Sequence, residues 1–248
     1  MDIMKPLTLL MLLSIYGGTP AFSAQQIIFN TTPKGLPPYM IKQEGQPDSG
    51  IMLDVLKAIS NKHGYSIKPV GIPKKRVMSH IDLGKMDAVA QAMEWVPYPE
   101  KYLFTDSIVK IRDVLFSLKS TPVRLNNIKE LFGKKLGTHL GYHYPTLEDY
   151  FSSNKIQRSD AATEKAMLGM LIFGRTEAAV LNELVGKWYI KNNPIWHHQF
   201  FISSQAINQV NFRIMFSTKW QHFVNLFNQE LATMKKNGQL QQIISKYQ

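Results

Sequence analysis

The chain has 248 residues, no cysteine, and 29 Lys and Arg against 18 Asp and Glu, a formal net charge of +11. Without a cysteine there is no site for an N-terminal lipid anchor, and a thiol-free chain is at home in an oxidising compartment. The basic residues are scattered singly or in pairs with no arm-like run. The charge therefore reads as a solvated surface, and nucleic acid is excluded as the expected partner.

Lys5 precedes an apolar run at residues 7–16 (LTLLMLLSIY), and Gly17, Gly18, Thr19 and Pro20 break it. A run this short does not span a bilayer as a helix, which takes about 20 residues. A short basic start, an apolar middle and a small-residue exit make a secretory signal peptide over residues 1–23, cut after Ser23. No later segment is apolar enough to cross a membrane.

In the mature chain, residues 26–30 (QIIFN) predict a first strand feeding a loop with Pro37, Pro38 and Tyr39. Gly50 opens a helix whose apolar positions Ile51, Val55, Leu56 and Ile59 recur at spacings of three and four, and Gly64 closes it. A strand at 66–70, a helix at 74–83 and a buried strand at 87–93 follow. The same order then returns: a strand at 135–138, a helix near 146–151, a helix at 167–172 ending at Gly174, and a strand at 178–181. An extended segment at 109–119 joins the two halves. A late strand at 212–217, a helix at 220–236 and a short amphipathic tail at 240–247 close the chain. Alternating strands and helices argue an α/β sheet covered by helices.

The chain resembles the family 3, amino-acid-type periplasmic solute-binding proteins. The resemblance is carried in order by Pro37-Pro38-Tyr39, the segment from Gly50 to Leu56 with Asp54, and Gly84-Lys85-Met86-Asp87-Ala88. Phe104-Thr105-Asp106-Ser107, the glycine-containing block 131–137, Gly174-Arg175-Thr176-Glu177-Ala178 and the ending from Met234 complete it. It implies a two-lobed α/β fold (type II) that hinges shut on a ligand, with residues 24–116 and 212–248 in the first lobe and 117–211 in the second. It also implies a periplasmic monomer that serves a membrane permease or receptor, with a small-molecule ligand, no cofactor and no catalytic or metal site.

In that family an Arg before the Phe-Ser-Asp block holds the ligand carboxylate, and an Asp after a second-lobe strand holds its amino group. Here Tyr98 or Pro99 stands at the first position and Asn182 at the second, so neither charged clamp is present. The residues themselves offer other groups. Glu94 lies past a strand end, where open α/β sheets bind ligands, and suits a cationic or hydroxyl-rich group. Trp95 and Tyr39 are candidate aromatic walls. Arg76 is a candidate carboxylate or phosphate clamp. Tyr142 and His143 sit on a loop entering a helix. His197 and His198, as strand neighbours, face opposite ways and make a poor metal site, and Asp160 is expected to cap a helix. Two readings compete with delivery to a transporter. One is a dehydratase-like enzyme using Glu94 and His143 as an acid/base pair; the other is a partner presenting ligand to a membrane receptor.

Overall fold

The computed structural model describes residues 25–247; the expected signal segment lies outside the described residues. The first half runs β1 (Gln26–Asn30), α1 (Ile51–Lys62), β2 (Ser66–Val70), α2 (Lys74–Asp82) and β3 (Ala88–Ala92). After the short β4 (Leu103–Phe104) and the long β5 (Val109–Leu118) comes the second half. It runs β6 (Lys135–His139), α3 (Glu148–Ser152), β7 (Gln157–Ala161), α4 (Glu164–Ile172), β8 (Ala178–Asn182) and α5 (Glu183–Lys191). The 17-residue β9 (Phe200–Phe216) then leads back to α6 (Gln221–Lys236) and α7 (Gln239–Ser245).

Among the described residues the strands lie in the order β2-β1-β3-β9-β5-β8-β6-β7, with β4 beside β9. β1 is parallel to β2 and β3, and β6 is parallel to β7 and β8. The two halves thus repeat one strand arrangement, although no residue-level repeat is visible in the sequence. The antiparallel pair β5 and β9 runs between them, pairing on one side with β3 and on the other with β8. Bulges interrupt the β5–β9 register between Asp113 and Val114 and again before Phe116.

Each half has its own apolar core, and the first also takes Val185 of α5 from the second half. α1 buries Ile51, Val55, Leu56 and Ile59 along one face, as the spacing of three and four requires. α6 lays Phe223, Phe227, Leu231 and Met234 against the same core, which also takes Leu240 and Ile243 of α7. The second half has a core on each side of its sheet, one around Leu136, Leu147 and Val180, the other around Phe116, Leu168 and Leu181.

The Gly84–Ala88 block has a structural role. Asp87 is 3% exposed. Its Oδ2 accepts the Ile28 N–H at 2.8 Å, and its Oδ1 accepts the Trp220 indole N–H at 3.0 Å and the Lys219 ammonium at 2.6 Å. One carboxylate ties β1, the start of β3 and the start of α6 together. Asp87→Ala leaves the buried Trp220 N–H and the partly buried Ile28 N–H without acceptors, and we expect it to cost about 3 kcal/mol. The urea midpoint measures this, and a midpoint equal to the wild type would contradict the role.

Several elements depart from the sequence reading. Asp160 lies within β7, where Thr138 and Arg158 donate to its Oδ1. Thr163 is the residue that caps α4, its hydroxyl accepting from Ala166 N–H. His197 and His198 are not strand neighbours but sit in the turn after the 3₁₀ segment Pro194–Trp196, with His198 at a φ of 63°. The late strand begins twelve residues earlier than expected, and α5 starts directly at the end of β8 without a loop.

Candidate functional site

Parallel strands leave their C-terminal ends at one edge of each half, and that edge is where α/β sheets bind ligands. The loop after β1 brings Leu36 and Tyr39, the turn after β3 brings Trp95, and the start of α2 brings Lys74. β6 ends on His139 and the loop after it brings Gly141, Tyr142, His143 and Tyr144, while β8 ends on Asn182 and α4 opens with Glu164. Ile111 and Asp113 of β5 and Asn208 of β9 form the floor. These groups enclose a cavity of about 380 Å³ between the two halves, enough for a small ligand.

Asp113 occupies the middle of a crossing strand, beside Asn182 on one side and Asn208 on the other. Burial pushes its carboxyl up to about 6, against the hydrogen bond from Asn208 that stabilises the charge. Glu164 is the second carboxylate, 3.9 Å from His139 Nε2. The His139 ring stacks on Tyr142 at 4.1 Å between centroids. Burial raises the Tyr142 hydroxyl above its ordinary range, and the charges of Glu164 and Asp113 add to the shift. The phenol is therefore protonated at neutral pH, a neutral donor near two acids.

The wall on the second half is held from behind by Arg158. Its guanidinium donates to the Tyr142 carbonyl at 2.8 Å and to Asp160 at 2.9 Å, and lies 3.5 Å from Glu148. His143 pairs with the same Glu148 oxygen at 3.1 Å, with its side chain 74% exposed at the cavity mouth. On the first half, Tyr39 is wholly buried and its hydroxyl donates to Asn182 Oδ1 at 2.9 Å, across the junction. That oxygen also caps α5 through Leu184 N–H and Val185 N–H.

The fold brings Tyr39, Trp95, Tyr142, His143 and Asn182 to one cavity. Arg76, Glu94 and Tyr98 lie outside its lining. Positions two apart on a helix differ by roughly 200°, so with Lys74 facing the cavity Arg76 faces solvent. Glu94 is the exposed neighbour of Trp95 in a 3₁₀ turn, where adjacent side chains diverge. Tyr98 is 66% exposed, its ring under Lys101 Nζ at 4.8 Å. Glu94 and His143 are therefore not brought together as an acid/base pair. The sequence reading omitted Asp113, Glu164, His139, Lys74 and Asn208. The legible signal was Asp113 itself, a carboxylate inside the otherwise strand-forming run VKIRDVLFSL.

Two α/β halves, crossed by two shared strands and enclosing a cavity with charged and aromatic walls at their junction, define a two-lobed ligand-binding protein. The model of the bacterial extracellular solute-binding proteins, family 3, matches residues 28–248, and the chain belongs to that family. It is similar to the arginine-binding extracellular protein ArtP of Bacillus subtilis (strain 168), 23% identical over 207 residues, which cover 83% of this chain and 80% of that one. Among solved structures it resembles an ancestral cationic amino acid solute-binding protein, with a TM-score of 0.74 and 18% identity over 90% of this chain and 95% of that one. It also resembles the L-cystine solute receptor of Neisseria gonorrhoeae, with a TM-score of 0.73 and 17% identity over 91% and 93% of the two chains.

Proposed function

We propose that the protein is an exported, monomeric binding protein of the bacterial periplasm. It captures a small cation-bearing ligand in this cleft and hands it, chemically unchanged, to a membrane permease. One observation carries the reading: the carboxylates of Asp113 and Glu164 share a cavity walled by Tyr39, Trp95, Tyr142 and Tyr144, whose described lining contains no arginine. Carboxylates and aromatic faces both favour a cation. No arginine of the described lining can clamp a carboxylate bidentately, and Lys74, the lysine in that lining, lies over the Trp95 ring, so an amine suits the site better than a free α-amino acid. Relatives named for arginine and for cationic amino acids support a positively charged ligand.

The hinge in this reading lies inside the crossing strands. Val109 and Ile111 belong to the first core, whereas Val114, Leu115 and Phe116 belong to the second-half cores. In β9, Val210 packs on the first core and Ile207 on a second-half core. The bulges at 113–116 fall at this change of core, a place where backbone bends at low cost. The expected division, 24–116 and 212–248 against 117–211, would then be drawn a few residues earlier in both strands.

Calorimetry with paired probes tests the ligand class: ethanolamine against serine, and tyramine against tyrosine. The amine of each pair should bind more tightly, by roughly tenfold or more. Tighter binding of the amino acid in both pairs would overturn the reading.

A further inference from the structure

We propose that Lys74 is a specificity-determining residue of the cleft, a tethered cation that occupies the face of Trp95 and so selects ligands with one positive group over ligands with two. This inference rests on the cationic-ligand reading above.

The cavity offers two kinds of cation acceptor on different walls. Asp113 on the floor and Glu164 on the second-half wall are carboxylates; Trp95 on the first-half wall is a π face. Trp95 is supported by Phe212 at 6.0 Å, and Phe212 in turn by Tyr39 at 5.2 Å, yet the indole remains 43% exposed. An indole bordering a cleft, with its back packed and much of its surface open, is a good acceptor for an ammonium group. In this protein the chain itself supplies that ammonium: Lys74 Nζ lies 5.5 Å from the Trp95 ring centroid. The Lys74 ammonium has no hydrogen bond or ion pair among the described residues, and the ring is its described partner.

The neighbours of Lys74 sharpen the effect. Lys75 and Arg76 follow it in the first turn of α2, and that turn carries no acidic residue. The positive end of the helix and these cations give the first-half wall a positive potential. A ligand with a single ammonium group at Asp113 places its uncharged part near this wall. A ligand of the same length with an ammonium at each end meets a filled aromatic site and like charge. Carboxylates alone would favour the dication, so Lys74 reverses the preference that the floor would otherwise set.

The test uses pentylamine and 1,5-diaminopentane, which share a chain length, in calorimetry on wild type, Lys74→Met and Lys74→Gln. Methionine keeps an unbranched apolar stem against Trp95 and removes the charge. Wild type should prefer the monoamine. Both variants should raise the diamine-to-monoamine affinity ratio by roughly tenfold. A ratio that stays the same, or that falls, overturns the proposal. Asp113→Asn separates it from the reading beneath. If that variant loses both amines while the Lys74 variants leave the ratio unchanged, the cationic-ligand reading stands and the role of Lys74 fails. If Asp113→Asn leaves amine binding unaltered, or neither amine binds any of the proteins, both are overturned.

Discussion

Asp113→Asn is expected to abolish high-affinity binding while making the empty protein more stable. A cation held on a partly buried carboxylate loses on the order of 2–5 kcal/mol when that charge is removed, a weakening of tens to thousands-fold. The pH dependence follows from the same group. Its carboxyl sits at about 6 instead of the usual 3.8 because burial disfavours the charge. A cation must displace that proton, so wild-type affinity should be flat above pH 7 and fall about tenfold per unit below 6. Glu164, His139, His143 and Lys74 share the cavity, and the Asn variant shows which part of the profile belongs to Asp113.

The stability effect runs the other way. A carboxyl whose folded pKa is raised binds its proton more tightly in the folded chain than in the unfolded one. The contribution of this group to stability is therefore fully kept below about pH 4 and is lost as pH rises to about 6. Asparagine removes that loss, of about 3 kcal/mol at pH 7.5. The melting temperature without ligand should rise by roughly 8 °C at pH 7.5 and be unchanged below pH 4. A variant that is less stable at pH 7.5 yet still binds amines would contradict both halves of the argument.

The second large effect is expected at Gly50. It precedes α1 with φ 118° and ψ 162°, a conformation open in practice to glycine alone. A Cβ there would lie 2.6 Å from the Tyr39 carbonyl oxygen and 2.8 Å from the Met40 Cα. Both are backbone atoms, so no side chain can swing aside. Gly50→Ala combines strain with overlap, and we expect a loss of roughly 4 kcal/mol. The displaced segment carries Tyr39, so amine affinity should fall as well. Urea unfolding and calorimetry on one preparation read both; an Ala variant within 1 kcal/mol of wild type would show that the loop yields easily.

The elements that proved legible in the sequence are those whose apolar spacing answers to one core. β1 and β2 fall at the residues expected, and α1 begins where Gly50 breaks the chain. β7 was missed because QRSDA is an edge strand with no wholly buried position, so it has no alternation to read. The first part of β9 was missed because it crosses between the cores, and its stretch SQAINQ is largely polar and only partly covered. α5 was missed because Asn182 serves both as the last residue of β8 and as the cap of the helix. At the site, aromatic residues on strand-end loops were found from their position. The two acids were not: Glu164 reads as an ordinary first-turn carboxylate, and Asp113 sits in a strand taken only as a connection. The order of families of residues along the chain reveals the architecture, whereas the floor of the cleft depends on two distant strands meeting.

The core around β1 takes residues from both ends of the described chain. Tyr247 donates its hydroxyl to Asp54 at 2.6 Å and accepts the Gly50 N–H at 3.0 Å, so the tail fastens the start of α1. The order of synthesis therefore differs from the order in which the two halves can close. Residues 114–207 contain everything the second-half cores need, and loops of that span can close as soon as they emerge. The half that is made first must wait for α6 and α7, which are made after the whole of the second half. Throughout that interval the faces of β1 and α1 that bear Ile27, Phe29, Leu53 and Leu56 lack their cover, the condition under which a growing chain is most exposed to aggregation and most in need of a chaperone.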